Sequence, residues 1–245
     1  MREKVCANSN QKFYDKYFES IYAASNILTE RQYKEASIEF DVHYQKVMPD
    51  DKSANILDLG CGTGQFLYYL MGKGYQNIFG IDVSPQQIEY CEKNITRKVK
   101  LVDAFEFLKE TDRVYDIIAA HDVLEHVSKE KMLNLISSIY RSLKDKGVFI
   151  VRVPNMSNPF SLDSRYRDFT HETGFTDKSL YQVLWNAGFR DIQLSSTRII
   201  VRSVRNRVRS LLIVLLQKLI RFLYYIQDYS VPSNLGKNLI VISRK

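Results

Sequence analysis

The run ILDLGCGTGQFLYYL, residues 56–70, constrains the fold more than any other stretch of the chain. An apolar segment of strand character meets glycines at 60, 62 and 64, and a helical pattern starts directly after them. A strand, a glycine turn and a helix start place bare backbone amides at a helix amino end, which in an open α/β sheet receives a ligand. Apolar runs rich in β-branched residues then alternate with helical patterns, the signature of a mostly parallel sheet covered by helices. Seven strands are expected over 55–59, 77–81, 99–102, 115–120, 147–153, 191–200 and 238–243. Helices fit over 65–71, 85–94, 104–109, 129–144 and 177–187.

The detail of the glycine turn argues against a phosphate ligand. Its spacing is not GxGxxG, and Asp58, two residues before the first glycine, would repel a pyrophosphate. The same carboxylate attracts a cation. S-adenosylmethionine carries an ammonium and a sulfonium and no phosphate, so Asp58 and the close-approach glycines suit its methionine end. Asp82, at the end of the next strand, is placed to accept bonds from ribose hydroxyls. Asp103 and Ala104, after the third strand, suit adenine, although Asp103 is equally a helix cap.

Leu57-Asp58-Leu59-Gly60-Cys61-Gly62-Thr63-Gly64 resembles the first motif of the class I S-adenosylmethionine-dependent methyltransferases. The resemblance runs over about 56–189 and resumes at 238. It implies an α/β, Rossmann-like, seven-stranded sheet with helices on both faces and the last strand antiparallel. In the matching positions it implies cofactor contacts from Asp58, Gly60, Gly62, Gly64, Asp82, Val83, Asp103 and Ala104.

The fourth strand ends in AAHDVLEHV, and ligands bind beyond the carboxyl ends of such strands. His121 is expected beside the transferred methyl group, where it would touch the cofactor. Asp122, Glu125 and His126 would share one face if this segment is helical, as a divalent-metal trio or as a base with its orienting carboxylate. The segment resembles that of ubiquinone-biosynthesis O-methyltransferases, in which a similar stretch is associated with metal; Asp122 is shorter than the glutamate expected there. No metal is favoured here.

The long stretch VPNMSNPFSLDSRYRDFTHETGF after the fifth strand carries Arg165 and Arg167, candidates for an anionic group on the acceptor, or else members of a surface ion-pair cluster with Asp163 and Asp168. His171, His126 and His121 are the candidate bases for deprotonating a hydroxyl. RDFTHETGFTDKSL resembles methyltransferases of bacterial capsule and lipopolysaccharide synthesis, which implies a sugar or phosphorylated hydroxyl as acceptor. Competing expectations are a quinone or phenol O-methyltransferase, and a non-catalytic cofactor-binding subunit docked on a membrane glycan assembly. A nucleic-acid acceptor is set aside, because an Asn/Asp-Pro-Pro-aromatic tetrad is missing after the fourth strand.

Residues 1–52 read as a helical cap rich in aromatics, with Tyr14 as a candidate acceptor contact, or as a helix packed on the sheet for stability. Residues 53–200 read as the core and 237–245 as its final strand. The first residues are too polar for a secretory signal and the three cysteines form no CxxC pair, so a cytoplasmic protein is expected. The formal charge of +7 has one source: between residues 192 and 227 there are seven Lys and Arg and no Asp or Glu, leaving 28 basic residues against 28 acidic ones elsewhere. This insertion, 201–236, reads as a basic amphipathic helix. It can lie on an anionic membrane, pair with a second copy over 201–230, or pack on its own domain.

Overall fold

The protein is described here as a computed structural model covering residues 11–15, 29–112 and 114–245. Strand β1 (Ile56–Leu59) is apolar at three of four positions and buried at all four, as expected of a central parallel strand covered on both faces. The remaining strands are β2 (Ile78–Asp82), β3 (Val99–Leu101), β4 (Tyr115–His121), β5 (Leu143–Pro154), β6 (Asp191–Ser196) and β7 (Asn238–Arg244). They form one sheet in the order β3-β2-β1-β4-β5-β7-β6. The first five are parallel, and β7 runs antiparallel between β5 and β6. The expected seven-stranded α/β sheet is therefore present.

Helices α1 (Gln11–Asp15) and α2 (Glu30–Tyr44) precede the sheet. Between strands lie α3 (Gln65–Gly72), α4 (Pro85–Asn94), α5 (Ala104–Glu110), α6 (Lys129–Ser142), α7 (Leu162–Tyr166), α8 (Asp177–Asn186) and α9 (Val204–Ile226). Thr29 starts α2 through a reciprocal capping box with Gln32, a signal readable as Thr-x-x-Gln. Of the expected amino-terminal cap, residues 1–10 and 16–28 lie outside the described residues. The described α2 packs on the sheet, with Phe40 and Tyr44 joining Ile56, Phe66, Ile117 and Ile150 in one buried cluster. On the opposite face Leu57, Leu59, Phe149 and Val151 meet Leu135 and Ile139 of α6 and Leu180 and Leu184 of α8.

Two boundaries differ from expectation by four residues, the others by at most two. β6 stops at Ser196 because its partner β7 begins at Asn238, opposite Pro154 of β5; Thr197 still donates to the Asn238 carbonyl, and 198–200 have no neighbouring strand to pair with. β5 starts four residues early at Leu143, where a register irregularity opposite Tyr115–Ile117 absorbs the positive φ of Lys146.

Candidate active site

Alternate side chains of a strand share a face, so Asp58 of β1, His121 of β4 and Arg152 of β5 fall on the α2 side of the sheet with Ile56, Ile117 and Ile150. Register makes them neighbours: Asp58 pairs with Ala119, and His121 pairs with Arg152. His121 Nε2 lies 3.1 Å from the Tyr44 hydroxyl, and Nδ1 lies 3.8 Å from Asp58 Oδ1. The rings of Phe40, Tyr44 and Phe66 enclose it at 4.8–5.5 Å. Burial, and then the charge of Arg152, holds its pKa well below the usual range, so the contact with Asp58 is not an ion pair. His121 lines the cavity, but within an aromatic box rather than standing open beside a reacting group.

Asp58 is 2% exposed, and burial followed by the charge of Asp82 raises its pKa well above the carboxylate range. Arg152 is raised instead: burial opposes its charge, and the adjacent Asp122 outweighs that through bonds from Nε and Nη2. A buried carboxylate beside a second one, with its facing cation committed to Asp122, is a site that gains from a positively charged ligand.

Gly60, Gly62 and Gly64 take φ of 67°, 54° and 84°, the left-handed region that glycine enters without strain. This turn holds the backbone close to Asp82, whose Oδ2 accepts from Gly62 N at 2.9 Å and whose Oδ1 accepts from Ser84 N at 2.8 Å. Each oxygen keeps lone-pair capacity for a further donor. Asp103 caps α5, its Oδ1 accepting from Phe105 N at 2.8 Å and Glu106 N at 3.4 Å. Val83, Asp103 and Ala104 line the same cavity as Asp58 and Asp82.

The expected common helix face for Asp122, Glu125 and His126 does not form. Asp122 takes φ 56° and turns to Arg152, and only Leu124–His126 make a single 3₁₀ turn. Another partner takes its place. The backbone oxygen of Glu125 accepts from Glu172 N and Thr173 N at 2.8 and 2.9 Å, stitching the turn after β4 to the loop after β5. This brings the His126 and His171 rings to 4.7 Å between centroids. Ligating atoms of Glu125, His126 and His171 lie within 4.8 Å of one another.

The proton positions in this cluster follow from its partners. Thr170 Oγ1 donates to Asp168 Oδ1 at 2.6 Å, so it accepts from His126 Nδ1 at 2.8 Å. His171 Nδ1 faces the Ser164 carbonyl at 2.8 Å and therefore donates. In their neutral forms both imidazoles thus carry the lone pair on Nε2. Burial, and then neighbouring His171, pushes His126 down to about 4. Glu125 is 2% exposed, neither carboxylate oxygen finds a hydrogen-bond donor among the described residues, and burial followed by Asp122 raises its pKa well above normal.

The two expected anion-binding arginines separate. Arg165 donates to the carbonyls of His171 and Glu172, holding the loop, and is absent from the cavity wall. Arg167 lines the cavity and pairs with the exposed Asp163. Tyr14 of α1 reaches the cavity, 6.4 Å from the His126 ring, its hydroxyl pushed up to about 12 by burial and then Asp168. Sequence reasoning missed Arg152, Thr170 and Tyr44. Arg152 alone carried a signal, as a lone cation in the apolar run VFIVRVP.

Tyr14, Asp58, Asp82, Glu125, His126 and His171 line one cavity of about 1610 Å³ at the carboxyl ends of β1 to β5. A model of the family described as a methyltransferase domain matches residues 33–194. A ubiquinone biosynthesis O-methyltransferase of Rickettsia conorii is 29% identical over 119 residues, 47% of this chain and 40% of that one. O-methyltransferase 3 of Dictyostelium discoideum is 25% identical over 183 residues, 65% of this chain and 41% of its own length. The matches thus span less than half of either relative. The crystal structure of an S-adenosylmethionine-dependent methyltransferase from Archaeoglobus fulgidus superposes with a TM-score of 0.64 at 23% identity, covering 96% of this chain and 99% of that one. It shares the fold.

Proposed function

The chain belongs to the methyltransferase domain family, and from that premise we propose that it is an S-adenosylmethionine-dependent O-methyltransferase acting on a hydroxyl of a small molecule. One observation carries this reading: a single cavity joins a buried acidic, glycine-turned rim to two imidazoles with Nε2 lone pairs. The fit to the cofactor rests on Asp58, a buried carboxylate suited to an ammonium, and on Asp82, whose two oxygens retain acceptor capacity. Asp58, Gly60, Gly62 and Gly64 would hold the methionine portion, Asp82 the ribose, and Val83, Asp103 and Ala104 the adenine. When bound, the cofactor supplies a methyl group on an electron-poor sulfur.

The rest falls to the chain itself. His171 or His126 accepts the acceptor's proton at Nε2, with Asp168 and Thr170 fixing the tautomer of His126. Tyr14 closes the cavity over the imidazoles, where exclusion of water strengthens every polar contact. His121 acts as a positioning residue behind Asp58. We favour a phenolic acceptor over the sugar or phosphorylated one expected earlier, because Arg165 is spent on the loop and the Tyr14 ring stands beside His126 in the cavity.

A divalent cation is the second reading, favoured by the convergence of Glu125, His126 and His171 and the undonated Glu125 carboxylate. Asp122, committed to Arg152, drops out of that set. The deciding assay is S-adenosylhomocysteine release with catechols and with nucleotide sugars, before and after chelation. His171→Ala and His126→Ala are expected to lower turnover by about 10²- to 10⁴-fold with cofactor affinity unchanged. Full activity in both would sink the base assignment, and loss on chelation restored by metal would establish the cation.

A further inference from the structure

Helix α9 is built the wrong way round for a helix that packs on its own domain. The side chains least exposed recur at 206, 210, 213, 217, 220, 221 and 224, the row that faces the protein. Five of these seven are polar: Asn206, Ser210, Gln217, Tyr224 and Arg221, whose guanidinium donates to the carbonyls of Pro232 and Ser233. The leucines look outward. Leu211, Leu212, Leu215, Leu219 and Phe222 are each between 53% and 61% exposed, and Ile220 is the one buried residue of the helix. Exposed apolar surface in an unbroken row of this kind marks a docking surface.

Charge identifies the occupant. Arg198, Arg202, Arg205, Arg207, Arg209 and Lys218 are exposed, and no acidic residue lies between 192 and 227 to balance them. Two copies joined through this helix would bring basic side chains together in either orientation. A nucleic acid would answer the arginines and leave the leucines in water. A lipid surface with anionic headgroups answers both. At 23 residues with Lys218 and Arg221 within it, the helix is not apolar enough to cross a membrane.

The place of the helix adds a consequence. It leaves from the end of β6 and returns to the start of β7, and Ser196 pairs with Leu239 as Pro154 pairs with Asn238. Both roots lie on the edge of the sheet that carries the cavity, where Lys237 and Asn238 contribute to the wall. We propose that α9 docks this protein on an anionic lipid bilayer, bringing the cavity-bearing edge of the sheet to the lipid. This stands on the helix alone and does not depend on the methyl-transfer reading.

Sedimentation of the full chain with vesicles tests it, using phosphatidylglycerol mixed with phosphatidylcholine against phosphatidylcholine alone. The expected result is pelleting with the anionic vesicles only, weakening as salt is added. Replacing Arg205, Arg207 and Arg209 together by glutamine is expected to weaken binding by about 10²-fold, near fivefold for each charge. Leu211→Ser with Leu215→Ser should also abolish pelleting, and since all five side chains are exposed, both variants keep the wild-type circular dichroism and melting temperature. Failure to pellet at low salt, or equal pelleting with both vesicle types, would overturn the proposal. A lipid-free dimer in sedimentation velocity that the serine variant dissolves would overturn it in favour of a second copy, and tighter binding to single-stranded RNA than to vesicles would do so in favour of nucleic acid.

Discussion

At Gly60 a Cβ atom would stand 2.4 Å from Val123 Cγ2, on a backbone whose φ of 67° already disfavours any L side chain. Gly60→Ala is therefore expected to cost about 2 kcal/mol or more, read as a lowered urea midpoint. Asp58→Asn keeps the shape and removes the charge; calorimetry should show adenosylmethionine binding weakened by about 10- to 10²-fold, and unchanged affinity would remove Asp58 from the cofactor site. His121 makes stability depend on pH. Folded, it stays neutral well below the ordinary value; unfolded, it takes a proton near pH ~6.5. Its contribution is full above that value and is lost as pH falls, at up to about 1.4 kcal/mol per pH unit. Asp58 and Glu125, raised in the fold, protonate there first and act in the opposite sense towards pH ~4. The difference between wild type and His121→Gln isolates the histidine, and parallel stability curves from pH 7 to about 5 would contradict it. That Asp58 and Asp82 meet on one cavity rim was legible from the sequence, because both positions are set by local spacing from the glycines. The Arg152–Asp122 pair and the Thr170 link to His126 were not, since their partners stand 30 and 44 positions apart and meet only through strand register and loop stitching.

Among the elements, the strands and helices of the core were legible because each carries its own periodicity, sharpened in α4 by Pro85 at its head. The loop after β5 has no such period. Its composition announced arginines and a histidine, but which of them face the cavity depends on backbone carbonyls that no pattern reveals. Arg165 is tied to the carbonyls of His171 and Glu172, and Arg167 to a surface aspartate. The two should behave differently when removed. Arg165→Ala is expected to loosen the loop and lower turnover by about tenfold or more with cofactor affinity unchanged, because misplacement of the imidazole rather than loss of binding is the fault. Arg167→Ala should change stability by less than about 1 kcal/mol, its ion pair being exposed on both sides. Equal turnover in wild type and Arg165→Ala would show that the loop holds its shape without the guanidinium.

On the scale of the whole molecule, the parallel part of the sheet and the antiparallel pair at its far side obey different rules of connection. Every link among β1 to β5 is a crossover whose helix helps to bury the sheet, so none can be shortened without opening the core. β6 and β7 are neighbours running in opposite directions, and for such a pair a few residues suffice. This chain instead spends residues 197–237 on the link, roughly ten times a short turn, at a loop-closure cost of about 2 kcal/mol. A variant joining Ser196 to Asn238 through a short turn is expected to keep the sheet's circular dichroism signature and to lose pelleting with anionic vesicles; an unfolded product would show the segment to be structural. The antiparallel closure thus leaves the outer part of the segment free to be rewritten or lengthened over evolutionary time, while the strands on either side keep their register.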